Sequence, residues 1–211
     1  DAYLETTAAQ LGDSPFAAIV SKNGEILYER YYGANGVLGR AVEADSRWQV
    51  FSITKSFVSA LVLNLCRDGV MTLDDPAGKY LPAFREHGGG AFDRNAVTVR
   101  HLLSHTSGAA YRGNKVPNPL PPGLDGIDII TEPGVDFKYS GLGMMILERV
   151  LEAATGQDVD TLMQERITGP LELGSTGYVY PGTATERVLP LKDEYFHYSQ
   201  NGKRAGAGLF T

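Results

Sequence analysis

The sequence predicts a mixed α/β (α+β) protein, and three observations predict it. Residues 16–20, Phe16-Ala17-Ala18-Ile19-Val20, read as a buried strand, and Ile26-Leu27-Tyr28-Glu29-Arg30-Tyr31-Tyr32 reads as its hairpin partner. Asn23-Gly24 between them supplies the positive φ angles of a tight turn. The stretch from Ser52 to Asp68 is apolar almost all round, the pattern of a central helix. The chain that follows is mostly helical. An isolated hairpin is marginal in water, so the remaining strands of its sheet are expected from much later in the sequence.

Composition narrows the function classes. With 211 residues, 43% of them hydrophobic, the chain has enough apolar surface for a sizeable core. The net charge of −6, without a basic cluster, points away from nucleic-acid binding. No apolar run approaches the roughly 18 residues of a membrane span. The opening Asp1-Ala2-Tyr3-Leu4 is neither a signal nor a transit peptide. With a single cysteine, Cys66, no internal disulfide framework exists. The compartment, periplasmic or secreted against cytoplasmic, therefore stays open. No cofactor is expected.

The chemistry begins with Ser52 and Lys55, in Trp48-Gln49-Val50-Phe51-Ser52-Ile53-Thr54-Lys55-Ser56-Phe57. At helical spacing, residues i and i+3 share a face, which brings an amine to the hydroxyl it would activate. Ser52 would also sit at the positive end of the helix dipole, where developing negative charge is favoured. The same residues read equally as an N-cap serine and a first-turn surface lysine. A pair at this spacing arises by chance about once in a chain of this length.

Gly69 is expected to close the helix as a left-handed cap. Leu73-Asp74-Asp75-Pro76 makes a turn, and Tyr80-Leu81-Pro82 ends a short helical segment. Thr98 caps Val99-Arg100-His101-Leu102-Leu103, with Gly108 as its stop. His101 and His105 lie four apart, as zinc-binding histidines do, but the zincin glutamate and a third ligand are missing. They are expected to pack around a helix end, with no metal. Residues 111–133, rich in Pro, Gly and Asn, read as one long irregular loop, functional or a plain surface excursion. Phe137-Lys138-Tyr139-Ser140 leads into a helix over 142–155 capped by Gly156, and a second helix over 159–167 ends at Gly169-Pro170. A strand at 195–198 and an Asn201-Gly202 turn are expected before the final 205–210 segment.

The order of these motifs carries a resemblance. Ser52-Ile53-Thr54-Lys55 is followed by Leu73-Asp74-Asp75-Pro76, then by Val97-Thr98-Val99-Arg100-His101-Leu102-Leu103-Ser104-His105-Thr106-Ser107-Gly108. Glu132-Pro133-Gly134, Phe137-Lys138-Tyr139-Ser140 and Gly169-Pro170-Leu171 complete the series. From about residue 14 onward the chain resembles the serine β-lactamase-like family of class C β-lactamases, D-alanyl-D-alanine carboxypeptidases, D-aminopeptidases and related esterases. The resemblance implies a β-lactamase/transpeptidase-like fold, an antiparallel sheet flanked by helices plus a mostly helical lobe. Residues 1–45 would give the hairpin part of the sheet lobe, 46–178 the helical lobe, and 179–211 the return toward the sheet.

In that family the serine of S-x-x-K attacks a carbonyl and forms an acyl-enzyme. Ser52 matches this nucleophile, Lys55 the motif lysine, and Tyr139 the tyrosine of Y-x-N. The resemblance makes Lys55 and Tyr139 joint general base and proton relay, with the choice between them open. Gly141 stands where the family often has the substrate-contacting asparagine, which tilts the reading from β-lactamase or peptidase toward esterase. No Lys-Thr-Gly or His-x-Gly strand motif follows Tyr139. The chain is therefore expected to be an amino-terminal portion of a longer enzyme, whose missing segment completes the fold and the oxyanion hole. The expected function is a serine hydrolase acting on a small ester, β-lactam or D-amino-acid amide. The alternatives are a penicillin-binding carboxypeptidase or D-aminopeptidase, and a non-catalytic binding or scaffold protein.

Overall fold

The computed structural model describes residues 2–12, 14–35, 40–86, 90–114, 124, 126–178, 188–189 and 209–211. After helix α1 (Ala2–Leu11), strands β1 (Phe16–Lys22) and β2 (Glu25–Tyr32) form the expected hairpin. Asn23 and Gly24 turn it at φ 53° and 82°. Pairing runs antiparallel from Phe16–Tyr32 to Lys22–Glu25, with a bulge between Val20 and Ser21. The expectation of a buried strand needs correction. Ile19, Val20, Ile26 and Leu27 are each more than half exposed, because among the described residues no further strand pairs with β1 or β2.

Two short strands, β3 (Ala34–Asn35) and β4 (Arg40–Ala41), pair with each other before β5 (Arg47–Trp48). A 3₁₀ turn, Phe51–Ile53, then leads into α2 (Thr54–Arg67). The helix thus starts just beyond Ser52 rather than at it. It buries Thr54, Val58, Leu61, Val62 and Leu65, a single stripe at i, i+4, i+7, i+8 and i+11, whereas Leu63 is 55% exposed. The sequence reads as apolar all round, but the described residues cover only that one face. Gly69, at φ 74°, ends the helix. Its N–H donates to the Cys66 carbonyl and the Val70 N–H to that of Leu65, which is the Schellman pattern.

Helices α3 (Ala77–Tyr80) and α4 (Pro82–Glu86) follow the Asp74-Asp75-Pro76 turn. The Asp75 carboxylate accepts from the Tyr80 hydroxyl at 2.5 Å, the Thr72 N–H at 2.8 Å and the Lys79 ammonium at 3.0 Å. The Tyr80 hydroxyl above all, then Lys79 and the Thr72 N–H, overcome partial burial and hold this carboxyl at about 2. A depressed carboxyl contributes stability that is present above its unfolded value near 4 and lost as pH falls through the folded one. Asp75→Asn is therefore expected to lower stability at neutral pH. The difference from wild type, read by urea unfolding at stepped pH, should vanish near pH 2.

Thr98 caps α5 (Val99–Leu103) as expected, its Oγ1 accepting from the His101 N–H at 3.3 Å. The stop is not Gly108. His105 adopts φ 59°, its N–H donating to the Leu102 carbonyl and that of Thr106 to the His101 carbonyl. A histidine thus occupies the left-handed position where glycine is usual. Gly108 serves a close approach instead: a Cβ there would lie 2.2 Å from the Thr131 carbonyl oxygen.

Strands β6 (Ala109–Tyr111) and β7 (Ile127–Ile129) pair antiparallel, so the stretch expected as one irregular loop carries strands at or near both its ends. Three-residue strands are too short for alternation to separate them from loop. Next, α6 (Gly141–Thr155) is capped by Ser140 at one end and by Gly156, at φ 72°, at the other. The helix expected over 159–167 divides into α7 (Val159–Met163) and a π-helical turn, Gln164–Thr168. Finally β8 (Gly177–Tyr178) pairs antiparallel with β10 (Leu209–Phe210), and β9 (Val188–Leu189) runs parallel to β5. The strand and turn expected at 195–202 lie outside the described residues. The core gathers Val58, Leu61 and Leu65 of α2 with Ile146, Leu147 and Val150 of α6 and Leu162 of α7. Among the described residues, no helix is long and apolar enough to cross a membrane.

Candidate active site

The turn that presents Ser52 is held by residues from the far end of the sequence. The Trp48 N–H donates to the Thr211 carbonyl at 2.7 Å, the Thr211 N–H returns to the Trp48 carbonyl at 3.0 Å, and the Val50 N–H donates to Leu209 at 3.0 Å. Fully buried Thr54 receives the Leu209 N–H on its Oγ1 at 3.2 Å. Between these anchors Phe51 takes φ 43°, a left-handed conformation that costs a bulky residue about 1–2 kcal/mol. The anchored turn sets Ser52, exposed, at the amino end of α2. Strain held in place by surrounding bonds is typical of functional turns.

Tyr139 reaches the same point from the opposite direction. The segment 132–140 is tied to the end of α5 by backbone bonds: the Gly134 N–H donates to the Thr106 carbonyl and the Lys138 N–H to that of His105, both at 2.8 Å. Gly134 lies at φ 92°, and a Cβ there would stand 3.0 Å from the His101 Nε2, so any other residue would strain the backbone and crowd His101. The Ser140 N–H donates to the His105 Nδ1 at 3.3 Å. The imidazole packs on the Tyr139 ring with centroids 4.6 Å apart.

These elements bring the three expected residues together. The Tyr139 hydroxyl donates to the Ser52 Oγ at 2.6 Å, and the Lys55 ammonium donates to the same oxygen at 3.1 Å. Lys55 Nζ also stands 4.9 Å over the Tyr139 ring centroid. Partial burial would raise the Tyr139 phenol, but hydrogen bonds to Lys55 and Ser52 and the lysine's charge outweigh it and bring it below the usual tyrosine range. Both prospective bases lie within the 2.6–3.2 Å reach (about one hydrogen bond) that proton transfer needs. Gly141 begins α6, and nothing lies within 4 Å of where its Cβ would be.

The two histidines go where the sequence puts them, around a helix end. His101 Nδ1 lies 3.3 Å from the Thr98 N–H and 3.1 Å from the Ala96 carbonyl oxygen. His105 faces the site. Burial first, then the Lys55 cation, hold its imidazole below the usual histidine range. Among the described residues no group of three His, Cys, Asp or Glu could hold a metal. Sequence reasoning missed two residues at this site, His105 beside Tyr139 and Thr54 beneath Ser52. A polar threonine inside an apolar helix, and a histidine rather than glycine after α5, were the available signals.

Known proteins resemble the chain in sequence and in fold. The chain is 34% identical over 185 residues to esterase EstB of Burkholderia gladioli, an alignment covering 77% of this chain and 46% of that protein. The chain thus spans less than half the length of that relative. The solved structure of EstCE1, described as a hydrolase with promiscuous acyltransferase activity, matches with TM-score 0.76 at 19% identity over 98% of this chain and 68% of that one. A class C β-lactamase matches with TM-score 0.79 at 16% identity, over 100% of this chain and 59% of that one. At these identities the two structures show the shared fold alone. The β-lactamase family model matches residues 4–208, and with nearly the whole sequence matched, the chain belongs to the β-lactamase family and carries its mixed α/β, β-lactamase/transpeptidase-like fold.

Proposed function

We propose that the protein is a serine hydrolase that forms an acyl-enzyme on Ser52 and acts first of all on esters. The observation that carries this reading is the Ser52 Oγ, which lies 2.6 Å from the Tyr139 hydroxyl and 3.1 Å from the Lys55 amine. In the first half-reaction, with one proton already lost from the Lys55–Tyr139 pair, the Ser52 oxygen bonds to the substrate carbonyl carbon while its proton passes to that pair. The carbonyl oxygen takes up the negative charge, favoured by the Ser52 N–H at the positive end of α2. Collapse breaks the bond to the leaving alcohol, which leaves with the proton held by the pair. A water molecule then repeats the sequence on the acyl-Ser52 ester and frees the acid.

Two observations favour an ester over a β-lactam or D-amino-acid amide. One is the likeness to EstB. The other is Gly141, which offers the substrate no side-chain amide. The test is turnover of a short-chain p-nitrophenyl ester against a chromogenic cephalosporin. A higher kcat/KM for the ester supports the reading, and a higher value for the cephalosporin overturns the substrate assignment.

Gly141 also yields a direct prediction. Because the space at its Cβ is open, Gly141→Asn should fold with a stability change within about 0.5 kcal/mol. The new amide should raise penicillin acylation relative to ester hydrolysis by about tenfold, the worth of one well-placed hydrogen bond. Paired rate measurements check it, and an unchanged ratio would remove Gly141 from substrate selection.

A further inference from the structure

We propose that His105 is a positioning residue, a neutral imidazole that holds Tyr139 against Ser52 and Lys55 and releases it on protonation. The inference rests on the reading of Tyr139 as part of the proton relay.

Three features carry it. His105 sits at φ 59°, where glycine would be more stable by about 1 kcal/mol, so the side chain is present against local backbone preference. Its Nδ1 accepts the Ser140 N–H at 3.3 Å, and its carbonyl accepts the Lys138 N–H at 2.8 Å. It therefore grips the chain on both sides of Tyr139. Its ring lies 4.6 Å from the Tyr139 ring and meets Phe137 edge-on at 6.0 Å. Both flanking aromatics are otherwise open to solvent, Tyr139 at 56% and Phe137 at 72% exposure. The imidazole is thus the solid wall behind a tyrosine that solvent would leave loose.

A nitrogen that accepts from an N–H must be unprotonated. Protonating His105 would cost the Ser140 bond and add a second cation beside Lys55. The titratable groups facing it are Lys55 on α2 and Tyr139 on the 132–140 segment. On its own side, His101 is engaged with Thr98 and Ala96. Burial and the Lys55 charge both favour the neutral form, so the grip holds at neutral pH and fails as pH falls below the usual histidine range.

The test uses His105→Gly, which relaxes the backbone while removing the side chain, and His105→Asn, which tolerates the left-handed region and keeps an acceptor in place of Nδ1. Two readouts are taken on each folded variant. One is the pH profile of kcat for an activated ester. The other is the phenolate absorbance of Tyr139, isolated by subtracting a Tyr139→Phe background. The expected result for His105→Gly is a kcat about 10- to 100-fold lower with KM within twofold, and a Tyr139 titration moved up toward that of free tyrosine. His105→Asn should recover most of kcat and lose the limb in the histidine range, keeping only the limb that belongs to the Lys55–Tyr139 pair. An unmoved Tyr139 titration in His105→Gly, or a histidine-range limb that persists in His105→Asn, would overturn the proposal. If no ester turns over in the wild type, the hydrolase reading fails, and the absorbance titration alone still decides whether His105 positions Tyr139.

Discussion

Ser52→Ala is expected to lower ester hydrolysis by about four orders of magnitude or more, with KM nearly unchanged. The fold should be intact, because the Ser52 hydroxyl is exposed and its turn is held by other residues: Trp48, Val50 and Thr54 against 209–211. The loss should fall wholly on kcat. In the proposed mechanism the serine contributes a bond made only along the reaction path, whereas substrate affinity comes from the surrounding surface. Steady-state kinetics with thermal unfolding as a control measures both. A residual rate within tenfold of wild type would place the nucleophile elsewhere.

The second large effect belongs to Tyr139→Phe, expected to cost about 10²- to 10⁴-fold in kcat. Phenylalanine keeps the ring that His105 packs against and that Lys55 overlies, so the change isolates the hydroxyl, 2.6 Å from the Ser52 oxygen. Lys55→Met should produce a loss of the same order by a different route. It removes both the 3.1 Å contact to Ser52 and the charge that lowers the phenol. In Lys55→Met the Tyr139 absorbance titration should therefore shift up, while in Tyr139→Phe it disappears. A loss of less than threefold in Tyr139→Phe would take the phenol out of the mechanism.

Much of the local geometry was legible in the sequence because it is written in short local motifs. Asn23-Gly24 dictates its hairpin turn through positive φ, Thr98 and Gly156 cap their helices as their residue types imply, and Ser52, Lys55 and Tyr139 meet at one oxygen. What was illegible depends on contacts between distant residues. Nothing local says that 209–211 braces the strand before Ser52, since that pairing joins residues more than 150 apart. The burial of α2 was overread because a helix that is apolar on every side does not reveal which side is covered, and Leu63 proves open. Gly108 looked like the end of α5, yet its glycine serves the approach of Thr131, and the reversal falls on His105. The short β6–β7 pair was hidden among loop-forming residues.

The most direct test of the account is to find where an acyl group lands. The protein is incubated with an activated short-chain ester, quenched in acid during turnover, digested, and sequenced by tandem mass spectrometry. One acyl group is expected on the tryptic peptide Trp48–Lys55, at Ser52, and none in Ser52→Ala. An adduct on any other residue, or one that persists in Ser52→Ala, would contradict it.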